Sequence, residues 1–285
     1  MKIALVVNLS KEKAILYAKK ISLFLLGKNA EVAMLEDCSR HFKGIHIQYS
    51  KTITELFEYC DMAVTVGGDG TIIHAAKYAA KANKQLIGVN VGRLGFAADV
   101  EPDEYEQLER LLSGDYTTEE RIMLDVEVIK DGDSKHYLAV NDAVVARGQL
   151  SKTIDLHLAL DGDEISKYRA DGLLFATPTG STAYSLSAGG PILAPKMDCI
   201  LMTPVCPHSL FSRSVLFSGE SELSVHVKIP EECCCVLTID GEKNVPILAT
   251  DRVVITRSSL KLKLASLHRR NFYMLLNEKL KERDF

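Results

Sequence analysis

Up to about residue 120 the chain alternates short apolar runs with amphipathic stretches. Lys2–Val7 (KIALVV) reads as a central strand, and residues 11–26 carry helical spacing that stops at Gly27 and Asn29. Glu31–Leu35 is a second strand, Thr52–Tyr59 a short helix and Asp61–Val66 a third strand. That strand runs straight into Gly67-Gly68-Asp69-Gly70-Thr71. The spacing then predicts a helix from Ile72 to about Ala82, with Ile72, Ile73, Ala76, Ala79 and Ala80 on a mostly apolar face. Gln85–Asn90 is another apolar strand, followed by the glycine-bearing turn Gly92-Arg93-Leu94-Gly95-Phe96. Apolar strands alternating with helices imply a parallel sheet covered on both faces.

After about Arg121 the texture changes. DVEVIK, HYLAVNDAVVA, IDLHLAL, LLFATP, ELSVHVKIP, CCCVLTID and DRVVITRS are short, β-branched and often alternating, with Gly, Asp, Ser and Pro between them. They predict an all-β domain with a long central insertion. From about Arg270 to Arg283 the pattern is helical again, with Phe272, Tyr273, Leu275, Leu276 and Leu280. The expectation is α/β plus all-β, in two lobes with a cleft between them.

The length of 285 residues allows one large domain or two ordinary ones without disulfide or metal staples. A formal net charge of -4 argues against a nucleic-acid binder, which normally shows a basic excess, but leaves room for a local phosphate pocket. No apolar run approaches the roughly 18 residues that span a bilayer. The opening MKIALVVN lacks the flanks of a signal peptide. Seven cysteines without a C-x-x-C pair suit a reducing compartment, so the expected location is cytoplasmic. Neighbouring side chains on a strand point to opposite faces, so Cys233-Cys234-Cys235 does not converge on one ion and reads as small apolar strand residues.

Three stretches carry candidate chemistry. Gly67-Gly68-Asp69-Gly70-Thr71 lies at the carboxyl end of a strand and the start of a helix, where open parallel sheets bind ligands. Its glycines admit a close ligand, and the helix N-terminus offers amide donors to phosphate. Asp69 is either a general base for an attacking hydroxyl or, more plainly, a helix cap. Neither GxxxxGK[ST] nor GxGxxG occurs, which excludes a P-loop enzyme and leaves a Rossmann dehydrogenase unsupported. The second stretch is Asp171-Gly172 with Thr177-Pro178-Thr179-Gly180-Ser181-Thr182-Ala183-Tyr184-Ser185 and Gly189-Gly190-Pro191. Its hydroxyls suit ribose, amide or phosphate groups, and a Ser/Thr-rich surface loop is the plainer reading. The third is Asn141-Asp142, polar within an apolar run; the pair either makes a turn or binds something polar.

Together the stretches resemble the NAD kinase family. GGDGT at 67–71, GRLGF at 92–96, NDAVV at 141–145 and DG…TPTGSTAYSLSAGGPIL at 171–193 stand in that family's order, as do PVCPHSL at 204–210 and Asp240-Gly241. GGDGT alone is shared with lipid kinases and phosphofructokinases. The resemblance implies a Rossmann-like N-terminal lobe over 1–120 plus about 265–285, to which a C-terminal helix returns. It implies a dinucleotide-binding β-sandwich over 121–264, with NAD between the lobes. By the same carry-over Asp69 is the catalytic base on the adenosine ribose 2′-hydroxyl, and Gly67, Gly68, Gly70 and Thr71 bind phosphate. Substrate contacts fall to Gly70, His74, Asn141, Asp142, Arg169, Asp171, Thr182, Ala183, Tyr184 and Ser187. ATP is the implied co-substrate, with Mg²⁺ or another divalent cation held through its phosphates and not by a protein cage. A homodimer or homotetramer is implied, with no membrane or nucleic-acid partner. Two residues depart from the family pattern: Arg93 in the glycine turn, and Glu242, where the family usually has Gln. The rival readings are a lipid or sugar kinase of the GGDGT group and a non-catalytic NAD(P) sensor.

Overall fold

A computed structural model describes residues 1–92, 95–148, 153–209, 212–228, 235–268 and 272–283. The chain forms two compact units, residues 1–120 with 262–285, and residues 121–261.

In the first unit, β1 (Lys2–Val7) leads into α1 (Glu12–Gly27), β2 (Glu31–Leu35), β3 (Gln48–Ser50) and α2 (Ile53–Tyr59). β4 (Met62–Gly67), α3 (Asp69–Lys81), β5 (Gln85–Asn90) and the short α4 (Glu109–Leu112) follow. Ala14, Ala18, Ile21 and Leu25 recur one turn apart on α1, and all are buried. α2 opens with a reciprocal cap, the Glu55 amide donating to Thr52 Oγ1 (3.2 Å) and the Thr52 amide to Glu55 Oε2 (3.3 Å). The neighbours β5, β4, β1, β2 and β3 pair in that order, all parallel. Every residue of β4 is buried, as expected of a strand covered on both faces. Parallel neighbours bring the loops after β1, β4 and β5 to one carboxyl edge, and the GGDGT segment sits there.

The second unit contains β6 (Thr117–Lys130, whose start belongs to the first unit), β7 (Asp133–Ala139), β8 (Asp142–Arg147), β9 (Ile154–Leu160), β10 (Asp163–Ala170) and β11 (Gly172–Ala176). After α5 (Tyr184–Ser187) come β12 (Cys199–Val205), β13 (Val215–Ser218), β14 (Leu223–Lys228), β15 (Cys235–Ile239) and β16 (Lys243–Ile247). β17 (Arg252–Ser266) returns the chain to the first unit, where Lys263 and Leu264 pair with β5, and α6 (Phe272–Arg283) closes it. In the second unit β10, β9, β14 and β17, with β6 and β7, form one sheet. The other runs β13-β12-β11-β8-β15-β16, antiparallel throughout. Val126, Leu156 and Val225 from the first sheet and Val145, Phe175 and Leu237 from the second share one core, so this is a β-sandwich. The opposite face of β8, β11 and β12 is also covered: Val144, Leu174 and Leu201 pack with Leu193. That double burial explains why these strands read as unbroken apolar runs.

The expected single segment HYLAVNDAVVA is two strands. The chain leaves β7 in one sheet and enters β8 in the other, turning at Val140 and Asn141. Cys233 and Cys234 lie outside the described residues. Cys38, Cys60, Cys199 and Cys235 are buried free thiols, whereas Cys206 is exposed. Burial pushes the Cys38 and Cys235 thiols up to about 12. Alkylation of the folded protein at pH 8, mapped by mass spectrometry, is expected to mark Cys206 and spare these four. Rapid labelling of Cys38 or Cys235 would contradict the packing.

Candidate functional site

In the first unit the site is built around Asp69. α3 begins at Asp69 itself, with Gly68 as its cap residue, three residues earlier than the apolar spacing predicts. At such a start the amides of Asp69 and Gly70 have no intrahelical acceptor and face the carboxyl edge of the sheet. The Asp69 side chain is not spent on capping this helix. The Phe96 amide donates to its Oδ2 (2.9 Å) and the Ala97 amide to its Oδ1 (3.3 Å). Gly95 lies so close that a Cβ there would collide with the Asp69 carboxylate. The turn after β5 therefore orients the carboxylate through its main chain. Arg93 and Leu94 of that turn lie outside the described residues.

Thr71 folds back on Gly67, where a Cβ would collide with the threonine side chain. Gly70 is exposed, and Gly68 and Asp69 are half-buried. His74 is exposed on α3, its ring 5.7 Å from that of Tyr78.

In the second unit Asn141 and Asp142 are explained by a turn. The Asp240 carboxylate accepts from the Val140 (3.1 Å), Asn141 (2.7 Å) and Asp142 (3.1 Å) amides, while the Asp240 amide donates to Asp142 O (2.9 Å). Asp142 itself is buried. Asp240 thus satisfies successive amides at the corner between the sheets, where each unsatisfied donor would cost about 1–3 kcal/mol. Asp240→Ala is expected to destabilise the protein by at least about that much, read as a lower denaturant midpoint. An unchanged midpoint would show the carboxylate to be dispensable.

The 177–185 stretch packs onto the same corner. Thr177 Oγ1 donates to Val140 O (2.7 Å) and accepts from the Gly180 amide (3.0 Å), and the Thr177 amide donates to Asn141 O (2.9 Å). Ser181 Oγ donates to Pro178 O (2.7 Å) and accepts from the Leu193 amide (3.0 Å). Ser185 and Thr203 share a hydroxyl bond of 3.1 Å. Thr177, Ser181 and Ser185 are buried and hold the loop together, and none of the three is among the expected substrate contacts. Thr182 and Ala183 are half-buried, and Tyr184 and Ser187 are exposed. Thr179 Oγ1 is buried and has no hydrogen-bond partner among the described residues.

Two expected contacts have other partners. Arg169 forks onto Asp155, Nε to Oδ1 at 2.8 Å and Nη2 to Oδ2 at 3.0 Å, and this bond holds the Asp155 carboxyl below its ordinary range. A guanidinium so engaged across β9 and β10 is a poor candidate for a substrate contact. Asp171 is paired with Arg147, Nε to Oδ1 at 2.7 Å and Nη2 to Oδ2 at 3.3 Å. Arg147 carries no motif signal, and only the fold brings it to Asp171. Glu242 is exposed in the turn between β15 and β16.

Residues 3–116 match the family described as the ATP-NAD kinase N-terminal domain, and residues 140–267 the ATP-NAD kinase C-terminal domain. An NAD kinase from Marinobacter nauticus is 38% identical over 281 residues, 98% of this chain and 95% of the relative. One from Desulforamulus reducens is 37% identical over 98% of this chain and 97% of the relative. Among solved structures, yeast NADH kinase complexed with NADH superposes with a TM-score of 0.89 at 24% identity, covering 99% of this chain and 87% of the other. An Archaeoglobus fulgidus NAD kinase in complex with ATP gives 0.78 at 24% identity, covering 99% of each chain.

Proposed function

The chain belongs to the ATP-NAD kinase family, and on that premise we propose that it carries the γ-phosphoryl group of ATP to the adenosine ribose 2′-hydroxyl of NAD with Asp69 as general base. The enzyme is a phosphotransferase with an alcohol acceptor, and its product is NADP. The observation that carries the role of Asp69 is its setting: a carboxylate at a strand end, oriented by the Phe96 and Ala97 amides and flanked by the start of α3. The ribose O2′ attacks the γ-phosphorus as the bond from that phosphorus to the bridging oxygen of ADP breaks. The hydroxyl proton passes to Asp69, and ADP leaves with the electron pair. Such transfers ask the protein for position and for charge neutralisation more than for covalent chemistry.

The amides at the start of α3, with Gly67, Gly68, Gly70 and Thr71, suit donor phosphate. Among the described residues no cluster of three or more His, Cys, Asp or Glu would hold a metal ion. A divalent cation such as Mg²⁺ would be carried in on the triphosphate and would supply charge neutralisation on the transferred group. In the second unit, Thr182, Ala183, Tyr184 and Ser187 are accessible for dinucleotide contacts, on a loop fixed by Thr177 and Ser181. Asn141 and Asp142 supply the frame of that loop, whereas Asp171 lies at the other end of β11, paired with Arg147. His74 and Arg169 take no role in this reading, the latter because Asp155 holds it.

The direct test is an NAD analogue with a 2′-deoxyadenosine ribose. It should bind and remain unphosphorylated, whereas the 3′-deoxy analogue should be turned over. Phosphorylation of the 2′-deoxy analogue would move the acceptor elsewhere and sink the assignment. No described helix is long and apolar enough to cross a membrane.

A further inference from the structure

We infer that the Lys11 ammonium is a second phosphate-binding group of this site and contacts the γ-phosphoryl oxygens of ATP during transfer; the inference rests on the reading of the GGDGT segment as the donor's seat. Lys11 is placed by a fixed turn. The Asn8 amide donates to Val66 O (3.0 Å), Asn8 Oδ1 accepts from the Ser10 amide (3.0 Å) and hydroxyl (2.7 Å), and the Lys11 amide donates to Asn8 O (3.2 Å). Lys11 is thereby the cap residue of α1, and its side chain reaches across the ends of β4 and β5. Nζ lies 3.5 Å from Val91 O, at the limit of a hydrogen bond. A Cβ on Gly92 would be 3.3 Å from Nζ, and one on Gly68 3.6 Å, so these glycines leave the room the ammonium occupies.

That position has an electrostatic consequence. Gly68 is the cap residue of α3, so the ammonium stands beside the positive end of that helix dipole. Among the described residues the Lys11 ammonium forms no ion pair, and its one hydrogen bond uses a single one of three donors. Two positive features held together, with donors to spare and no carboxylate on the ammonium, are complementary to an incoming polyanion. In the transition state the charge of the transferred group is spread over its three equatorial oxygens, where a preplaced ammonium is worth more than in bulk water.

The test compares wild type with Lys11→Met and Lys11→Arg. Calorimetry reads binding of ATP with Mg²⁺ in the absence of NAD, binding of NAD alone, and steady-state kinetics read kcat. Lys11→Met should lower kcat/KM for ATP by about 10²-fold, with NAD affinity held within about twofold, and Lys11→Arg should recover much of the loss. A packing role alone would lower the denaturation midpoint and touch both ligands equally. The inference is overturned if Lys11→Met keeps kcat/KM and ATP affinity within about threefold of wild type, or if NAD affinity falls in parallel. If wild type binds ATP without phosphorylating NAD, the proposed function fails, while the ATP affinity of Lys11→Met against wild type still decides the role of Lys11.

Discussion

Asp69→Asn is expected to lower kcat for NADP formation by about 10²-fold or more, with NAD still bound. The substitution preserves shape and removes the proton acceptor. One amide oxygen can still accept from Phe96 or Ala97, but the NH₂ group then meets the other backbone N–H, so one of the two anchoring bonds is lost. That loss is local, because Asp69 is half-buried at the start of α3 and not in the core. A large fall in kcat with unchanged NAD affinity therefore identifies transition-state chemistry and not folding. A kcat within about threefold of wild type would remove Asp69 as the base.

Gly180→Ala is expected to be the most damaging change in the second unit that adds a single methyl group. A Cβ at Gly180 would stand 2.5 Å from Asn141 C and 2.7 Å from Asn141 Cα, and closer still to the carbonyl oxygen. Those are backbone atoms, and the corner that carries them is fixed by Asp240 and Thr177, so nothing yields cheaply. Overpacking of this kind costs about 1–3 kcal/mol. The loop from Thr177 to Ser187 must lift away from the corner to relieve it. The expected readout is a lower denaturant midpoint together with weaker NAD binding, measured by calorimetry on the folded fraction. Wild-type stability and NAD affinity would show that the loop does not depend on this close approach.

The parallel half of the molecule was legible because its signals are local. Lys2–Val7, Glu31–Leu35 and Gln85–Asn90 appear as strands at the bounds their apolar runs predict. The start of α3 was missed by three residues because glycines flanking Asp69 read as a break, whereas at a helix N-terminus they are compatible with the first turn. In the second unit, the pattern found most of the strands and passed over four others, one of them the four-residue β13. β10 (DEISKYRA) is a charged edge strand, and such charge protects an edge from further pairing. β16 carries Pro246, tolerated because that strand too is an edge. β12 carries Pro204, beyond the Cys199–Met202 stretch that pairs with β13. A stronger signal lay in the Asp-Gly pairs at 131–132, 161–162 and 240–241. Each Asp and Gly has positive φ and turns a hairpin, the local chemistry of the tightest loops.

The site shows the same division. Asp69 and the 177–187 loop were found from residue types at fixed spacing. The partners of the candidate residues came only from the fold: the Phe96 and Ala97 amides on Asp69, the Asp240 carboxylate under Asn141, and Arg147 on Asp171. Main-chain donors have no residue signature, and Arg147 and Asp171 are neighbours only because β8 and β11 pair. Hydroxyl composition alone does not separate Thr177, Ser181 and Ser185, which bond to the protein itself, from the more accessible Thr182 and Tyr184.

Formation of NADP by the purified chain from NAD, ATP and Mg²⁺ measures the proposed reaction itself. Coupling to a dehydrogenase that accepts NADP and rejects NAD makes the 2′-phosphate itself the readout. The proposed reaction yields NADP and ADP in equal amounts, dependent on both substrates. Binding of NAD and ATP with no NADP formed, at any ratio of the two, would contradict it.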